Sequence, residues 1–485
     1  MLVAVINATN YLEALEQINS AITYADAIEL RLDFWKKLNI DDIKKIKTTY
    51  SIPMIFTLRK PTEGGYYQGD EKNRLALLKQ LCTLNPEYMD IEYDVSKDFL
   101  KSLQQYPTIK FICSYHNFHN TPENLVGILE SMQYPLFSHY KIATLAQSTI
   151  DALRMLQFVN TYSKECLLTG ICMGETGQCT RIVGAIVGSQ LNYATLTTAT
   201  AVAPGQLSLD HLVNLYRVKQ FSRDTKIYAL LGDPIDKSVG HVLHNAAMAF
   251  LHKNAVYIKL KIKKQELPEA INLLRALAFS GFSVTMPLKE VILPFLDNID
   301  ISADKIGAIN TVLIDQLWQG FNTDGRGAVH SILEKIHLKD KYIVVLGAGG
   351  AARAIVYELL QQGAKVTVVN RTLENAKRLA EKLGCDIAST MPTTYDVIIN
   401  TLPEESFMEL KFFSAKNLIA KTIAMDIVYQ PIQTIFLAMA KNADCICIPG
   451  YEMFIRQAVA QLKLWFKLND EQVSHITKNM RSYFL

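Results

Sequence analysis

Short apolar or β-branched runs alternate with longer stretches of helical periodicity from the first residue to about Arg217, the pattern of βα units feeding a parallel sheet. The runs Leu2–Asn7, Ala27–Asp33, Met54–Arg59, Tyr88–Tyr93, Ile109–His116, Tyr140–Thr144, Cys166–Met173 and Ala194–Ala201 read as strands. Eight such units in so short a stretch predict a compact (β/α)8 TIM barrel. The polar segment Arg217–Lys226 breaks the rhythm, which restarts at Ile227-Tyr-Ala-Leu-Leu-Gly232. A boundary is therefore expected near residue 222. Beyond it, residues 226–325 read as a small α/β unit and 326–450 as a dinucleotide-binding Rossmann domain whose first strand opens at Tyr342. The helical stretch Glu452 to Leu468 is expected to return to the small unit, so that 451–485 belong with it. The fold class is α/β throughout.

Composition narrows the function. A chain of 485 residues exceeds what one core sustains, and 49% hydrophobic with 20% charged residues is normal for a folded soluble protein. A formal charge of +3 offers nucleic acid no electrostatic footprint. The most basic stretch, Lys259 to Lys264, alternates lysines with apolar residues and reads as a strand with one solvated face. The start lacks the basic and apolar regions of a signal peptide, and no apolar run approaches the roughly 20 residues of a membrane span. The eight cysteines are scattered, and Cys445-x-Cys447 has no partners that would complete a metal site. Reduced thiols, a cytoplasmic location, no membrane partner and no metal are the expectation.

Polar residues gather where barrel strands end. Glu29, Arg31, Arg59, His116, Lys141, Arg181 and Gln206 all fall at or beyond predicted strands, and a barrel converges that face into one site. A lysine inside a barrel either pairs with a carboxylate or acts as an amine. Neighbouring Arg31, Arg59 and Arg181 would disfavour the ammonium form of Lys141 and free it for imine formation. Arg181 is a candidate for a substrate carboxylate. His116 suits the base that removes a proton beside an iminium, with Glu63 holding its tautomer. These residues alone are compatible with any Schiff-base enzyme, an aldolase included.

The segments Glu29-Leu-Arg31, Phe56-Thr-Leu-Arg59, Glu63-Gly-Gly65, Ser114-Tyr-His116-Asn-Phe-His119-Asn-Thr-Pro122, Lys141-Ile-Ala143 and Ala203-Pro-Gly-Gln206 narrow the choice. In order and spacing, residues 1 to about 215 resemble type I dehydroquinate dehydratase. The resemblance implies an imine between Lys141 and the C3 ketone of 3-dehydroquinate, with His116 removing the C2 proton and Glu63 orienting it. It implies substrate contacts from Glu29, Arg31, Arg59, Arg181 and Gln206. One position departs: Val202 stands where the family has a substrate-contacting serine, and Thr200 is a candidate to compensate.

In the second half, Lys341-Tyr-Ile-Val-Val-Leu-Gly347-Ala348-Gly349-Gly350-Ala351-Ala352 is a strand running into a glycine-rich turn and a helix. Gly347 permits the turn, Gly349 lets a pyrophosphate approach the backbone, and Ala352 is small enough for helix packing. The next strand ends in Asn370-Arg371-Thr372. An arginine there, in place of an acidic residue, suits the 2′-phosphate of NADP(H).

Phe282-Ser-Val-Thr285-Met-Pro287-Leu-Lys289, Gly307-Ala-Ile-Asn310 and Gly320-Phe-Asn-Thr-Asp324-Gly supply polar groups for a carbonyl that receives hydride. In order and spacing they resemble shikimate dehydrogenase across residues 226 to about 470. The resemblance implies that Lys289 and Asp324 are a catalytic pair, and that Ser238, Thr285, Asn310, Tyr429 and Gln457 contact substrate. Ile427 and Gly450 would meet the nicotinamide end through their backbone. Two positions depart: Gly240 replaces the second serine of the carboxylate-binding motif, and Asn400-Thr-Leu-Pro403 lacks the family's Ser and Gly.

The product implied for the first half, 3-dehydroshikimate, is the substrate implied for the second. The two resemblances therefore predict a bifunctional enzyme that makes shikimate. Gly240 keeps quinate or another hydroxy acid open as the second substrate. A non-catalytic regulator built from the same domains is opposed by the presence of Lys141, His116, Lys289 and Asp324.

Overall fold

The computed structural model describes residues 1–484. The chain forms two compact units, one of Met1–Ile227 with Asn254–Phe279, the other of Tyr228–Lys253 with the residues from Ser280 onward.

The first unit is built on eight parallel strands: β1 (Leu2–Ile6), β2 (Ala27–Arg31), β3 (Met54–Thr57), β4 (Tyr88–Glu92), β5 (Lys110–Asn117), β6 (Phe137–Leu145), β7 (Leu168–Met173) and β8 (Asn192–Ala194). Their order is β7-β6-β5-β4-β3-β2-β1-β8. The two edges approach each other, with Gln190 N donating to Leu168 O at 3.0 Å and Leu191 N to Thr169 Oγ1 at 3.0 Å, so the barrel is nearly closed. β1 and β2 are buried at every position because the barrel covers one face and helices the other. Val3, Val5, Ile55, Ile112, Ile171 and Tyr193 fill the interior.

Three expectations shift. The eighth strand ends at Ala194 rather than running to Ala201, because threonine hydroxyls turn the chain on itself: Thr195 Oγ1 meets Thr200 Oγ1 at 2.9 Å and a short helical turn covers Thr198–Thr200. β6 starts three residues earlier than read, so Lys141 lies mid-strand. Arg59 lies two residues beyond the end of β3. The strand Ala255–Lys261 and the helix Leu267–Ala276 group with this unit, where Thr149 Oγ1 donates to Lys261 O at 2.6 Å. In that strand Ile258 and Leu260 are buried and Lys259 and Lys261 are partly exposed, the one-sided pattern expected of the basic stretch.

The second unit holds two sheets. In one, the strand Lys226–Gly232 runs parallel to Gly281–Val284, which pairs antiparallel with Thr311–Ile314, and that with Trp318–Phe321. In the other, six parallel strands are ordered Asp386–Ala388, Lys365–Val369, Tyr342–Leu346, Val397–Asn400, Ile423–Asp426, Ile446–Ile448, the doubly wound dinucleotide-binding topology. Alternate residues of Tyr342–Leu346 enter cores on opposite faces, Ile343 and Val345 on one, Val344 and Leu346 on the other. The helix Gly450–Phe466 returns to the first sheet: Gln461 Nε2 donates to Asn310 O at 3.0 Å, and Trp465 Nε1 to Val312 O at 3.1 Å. Among the described residues no helix is long and apolar enough to cross a membrane.

Candidate active sites

In the barrel, Glu29, Arg31, Arg59, Glu63, His116, Lys141, Arg181 and Gln206 all line one cavity, although up to 177 positions separate them in the chain (206 minus 29). Strand alternation explains Glu29 and Arg31, two apart on β2, and the same rule turns Asp90 and Glu92 of β4 inward together. His116 Nδ1 lies 2.9 Å from Glu63 Oε2. Burial, together with the charges of Arg59, Lys141 and Arg31, holds the imidazole well below its ordinary pKa, so it is neutral and able to accept a proton. Burial also pushes the Glu63 carboxyl up to about 7, against the opposing pull of Arg59.

Lys141 Nζ has two carboxylates in ion-pair range, Asp90 Oδ2 at 3.3 Å and Glu29 Oε1 at 3.6 Å, and shares its cavity with Arg31, Arg59 and Arg181. Each arginine has its own place. Arg31 donates twice to Asp33, at 2.9 and 2.8 Å. Arg59 donates to Asp90 Oδ1 and Ser114 Oγ, both at 2.7 Å. Arg181 differs: it is 4% exposed, it has no carboxylate in ion-pair range among the described residues, and its Nε has no partner. Burial lowers its pKa to about 10, the cost of a cation without a counter-ion. An incoming anion would remove that cost.

In the second unit, Lys289 Nζ donates to Asp324 Oδ2 at 2.5 Å. Asp324 opens the helix Asp324–Leu333, whose N-terminus favours a carboxylate. Asn310 Nδ2 donates to Asp324 Oδ1 at 2.7 Å and lies 3.5 Å from Gln457 Oε1, so four of the expected residues meet. Ile309 N donates to Lys289 O at 2.7 Å and locks the two loops together. Tyr429 stacks on Phe454 with centroids 4.4 Å apart, and its hydroxyl reaches the Ser238 side chain. Ser238 Oγ accepts from Gly240 N at 3.2 Å.

A type I 3-dehydroquinase family model matches residues 2–223, a shikimate dehydrogenase substrate binding domain model residues 230–312, and a shikimate/quinate 5-dehydrogenase model residues 328–404. The shikimate biosynthesis protein AroDE of Chlamydia pneumoniae is 35% identical over 476 residues, covering 96% of this chain and 95% of its own. A chloroplastic bifunctional 3-dehydroquinate dehydratase/shikimate dehydrogenase of Arabidopsis thaliana is 34% identical over 471 residues, covering 91% and 77%. The chain belongs to the bifunctional dehydroquinate dehydratase/shikimate dehydrogenase family. Among solved structures, a shikimate dehydrogenase from Aquifex aeolicus is similar with a TM-score of 0.51 and 32% identity, covering 54% of this chain and 99% of that one.

Within this family the barrel carries residues that the sequence reading missed. Asp90, Glu92, Ser114 and Tyr193 complete the charge network, and Asp90-x-Glu92 at the end of a barrel strand was the available signal. Two positions fall outside the site. His119 is exposed; its N–H donates to Asn117 Oδ1 at 2.8 Å and its carbonyl accepts from Gln147 Nε2 at 2.6 Å. Thr200 is committed to Thr195 and Thr197, so it does not stand in for the serine that Val202 replaces. Val202 itself lines the cavity, and its N–H donates to Gln206 Oε1 at 2.9 Å.

The dinucleotide lobe fits a phosphate-rich cofactor. Gly347 has φ +107, and a Cβ there would lie 2.5 Å from Thr401 Oγ1, so only glycine makes this turn. At Gly349 nothing lies within 4 Å of where a Cβ would stand, which leaves the backbone at the start of the helix Gly350–Gln361 open. A cavity beside it is lined by Ala348, Gly349, Arg353, Asn375, Arg378 and Lys382, with Glu290 as its acidic residue. Asn370 Nδ2 donates to Thr372 O at 2.8 Å and shapes the loop. Arg371 is outside this cavity; its side chain is 62% exposed and paired with Glu409. Gly450 packs so tightly under Val428 O that a Cβ would come within 2.3 Å, which holds the Ile427–Val428 backbone in place.

Proposed function

We propose that the barrel dehydrates 3-dehydroquinate to 3-dehydroshikimate and that the second unit reduces this product to shikimate with NADPH. The domains are taken as 1–222 for the dehydratase, 226–325 with 451–485 for shikimate binding, and 326–450 for NADP(H). The observation that carries the reading is the barrel cavity, where an enclosed lysine, a neutral histidine on a carboxylate and an unpaired arginine face the same space.

Lys141 condenses with the C3 ketone, and the iminium draws electrons from C2. His116 accepts the C2 proton at Nε2 because Nδ1 faces Glu63, and returns it to the departing C1 hydroxyl. Arg181 takes the substrate carboxylate, which supplies its missing counter-ion. Glu29, Arg31, Arg59 and Gln206 hold the remaining oxygens.

In the second unit, Asp324 and Lys289 hold the oxygen of the reacting carbonyl, and Lys289 gives it a proton as hydride arrives on the carbon and charge develops. Asn310 keeps Asp324 oriented. Ser238 and Tyr429 take the carboxylate, with Thr285 and Gln457 beside the ring. NADPH, when bound, supplies the hydride. Gly347, Ala348, Gly349, Gly350 and Ala351 would hold its pyrophosphate, Asn370, Arg371 and Thr372 its 2′-phosphate, and the Ile427 and Gly450 backbones its nicotinamide. The enzyme works on small molecules in the cytoplasm, without a membrane or nucleic-acid partner.

The test is NADPH absorbance after mixing the protein with 3-dehydroquinate alone. Oxidation is expected. If only 3-dehydroshikimate elicits oxidation, the barrel assignment fails; if only quinate turns over, with the oxidised cofactor, the second assignment fails. Lys141→Ala is expected to abolish the response to 3-dehydroquinate and keep that to 3-dehydroshikimate.

A further inference from the structure

Tyr193 covers the side of Lys141 that the carboxylates leave open. Lys141 Nζ lies 4.1 Å from the centre of the Tyr193 ring, with Asp90 Oδ2 at 3.3 Å and Glu29 Oε1 at 3.6 Å. Tyr193 is 3% exposed, sits on β8 and packs in the barrel interior, and its hydroxyl has no hydrogen-bond partner. Buried tyrosines normally find one. The ring is therefore held by packing and by its face against the nitrogen, not by its polar end.

We propose that the Tyr193 ring acts in the dehydration as a fixed electron-rich face that stabilises positive charge on the Lys141 nitrogen at the iminium stage. The inference rests on the Schiff-base reading above. Lysine ammonium and ketone condense to iminium and water: the C–N bond forms, the C–O bond breaks, and two of the three ammonium protons leave on the oxygen. The nitrogen is cationic before and after, and neutral in between. It becomes neutral again when the C2 proton is taken, and regains its charge when its electron pair expels the C1 hydroxyl, which leaves with that proton as water.

The carboxylates and the ring serve different stages. Asp90 and Glu29 hold the ammonium through its N–H donors, of which it has three. An iminium nitrogen keeps one N–H, so it can serve at most one of them well. A ring face needs no N–H, and its attraction for a desolvated cation is unchanged when the donors are lost. Both steps in which the nitrogen gains charge are thus assisted by the ring.

The test replaces Tyr193 in the full chain first by Phe, then by phenylalanines bearing one, two and three ring fluorines, which withdraw π density with little change of shape. Tyr193→Phe, which keeps the ring face, is the reference from which the fluorinated series is read. Along the fluorinated series kcat should fall stepwise at nearly constant KM. Tyr193→Leu should lose roughly thirtyfold in kcat, the equivalent of a desolvated cation–π contact. The fraction of enzyme trapped on Lys141 by borohydride during turnover should fall in parallel. A flat kcat across the fluorinated series overturns the inference, as does a loss in Tyr193→Phe equal to that in Tyr193→Leu. Absence of any borohydride adduct in the unaltered chain overturns the Schiff-base reading itself, and the inference with it.

Discussion

Replacing Glu63 by Gln tests how the barrel sets its base. The carboxyl is buried, and its pKa is raised from 4.5 to about 7, a shift of about 3 kcal/mol against the ionised form. Its Oε2 is a charged acceptor for His116 Nδ1, at 2.9 Å, only while the carboxyl is ionised and the histidine carries its proton on that atom. Dehydratase kcat should therefore fall as pH drops through about 7 and level off at the loss that a neutral acceptor causes. Gln keeps an acceptor but not the charge, so a charge-assisted bond becomes a neutral one at a cost of about 1–2 kcal/mol. That corresponds to a five- to thirtyfold loss of kcat at pH 8. The limb near pH 7 should vanish, because His116 itself titrates far lower. Stability should move the other way. A carboxyl with a raised folded-state pKa binds more protons folded than unfolded between 4.5 and about 7, so the native state loses stability as pH rises through that window. The variant is spared this loss and should be up to about 3 kcal/mol more stable at pH 8. The assay follows the ultraviolet absorbance of the conjugated product from pH 5.5 to 9, with urea unfolding at pH 5 and 8. A variant that keeps an acid limb near 7, or that is less stable at pH 8, would refute the assignment of that titration to Glu63.

Other outcomes follow from the same network. Asp90 is held at a pKa of about 2, with burial outweighed by Arg59, Lys141 and Ser114, so Asp90→Asn should destabilise the barrel by about 2.5 kcal/mol at pH 7. The difference between variant and native chain should shrink as pH falls from about 4 to about 2, which acid-unfolding curves of the two would reveal. Lys289→Ala and Asp324→Ala should each slow reduction of 3-dehydroshikimate by roughly two to four orders of magnitude, measured by NADPH oxidation with the dehydratase rate of the same chain as control. Arg378→Ala should raise KM for NADPH several-fold with kcat little changed, because Arg378 lines the cavity at Gly349; an unchanged KM would remove Arg378 from the cofactor site.

The architecture was legible in the alternation of short apolar runs with helical stretches. Short apolar runs buried on both sides read as strands of a covered parallel sheet, and polar residues at their ends meet on one barrel face. Gly347 was legible because its turn, at φ +107, excludes a side chain. The fold alone decided which charges face each other. Lys141 meets Asp90 and Glu29, which stand on β4 and β2, a pairing that no single run of sequence shows. Thr200 has a suitable side chain, yet it is spent on its own turn. A side chain's type is local information, but its partner is chosen by strand register and by competition among neighbours, and only the packed chain resolves both.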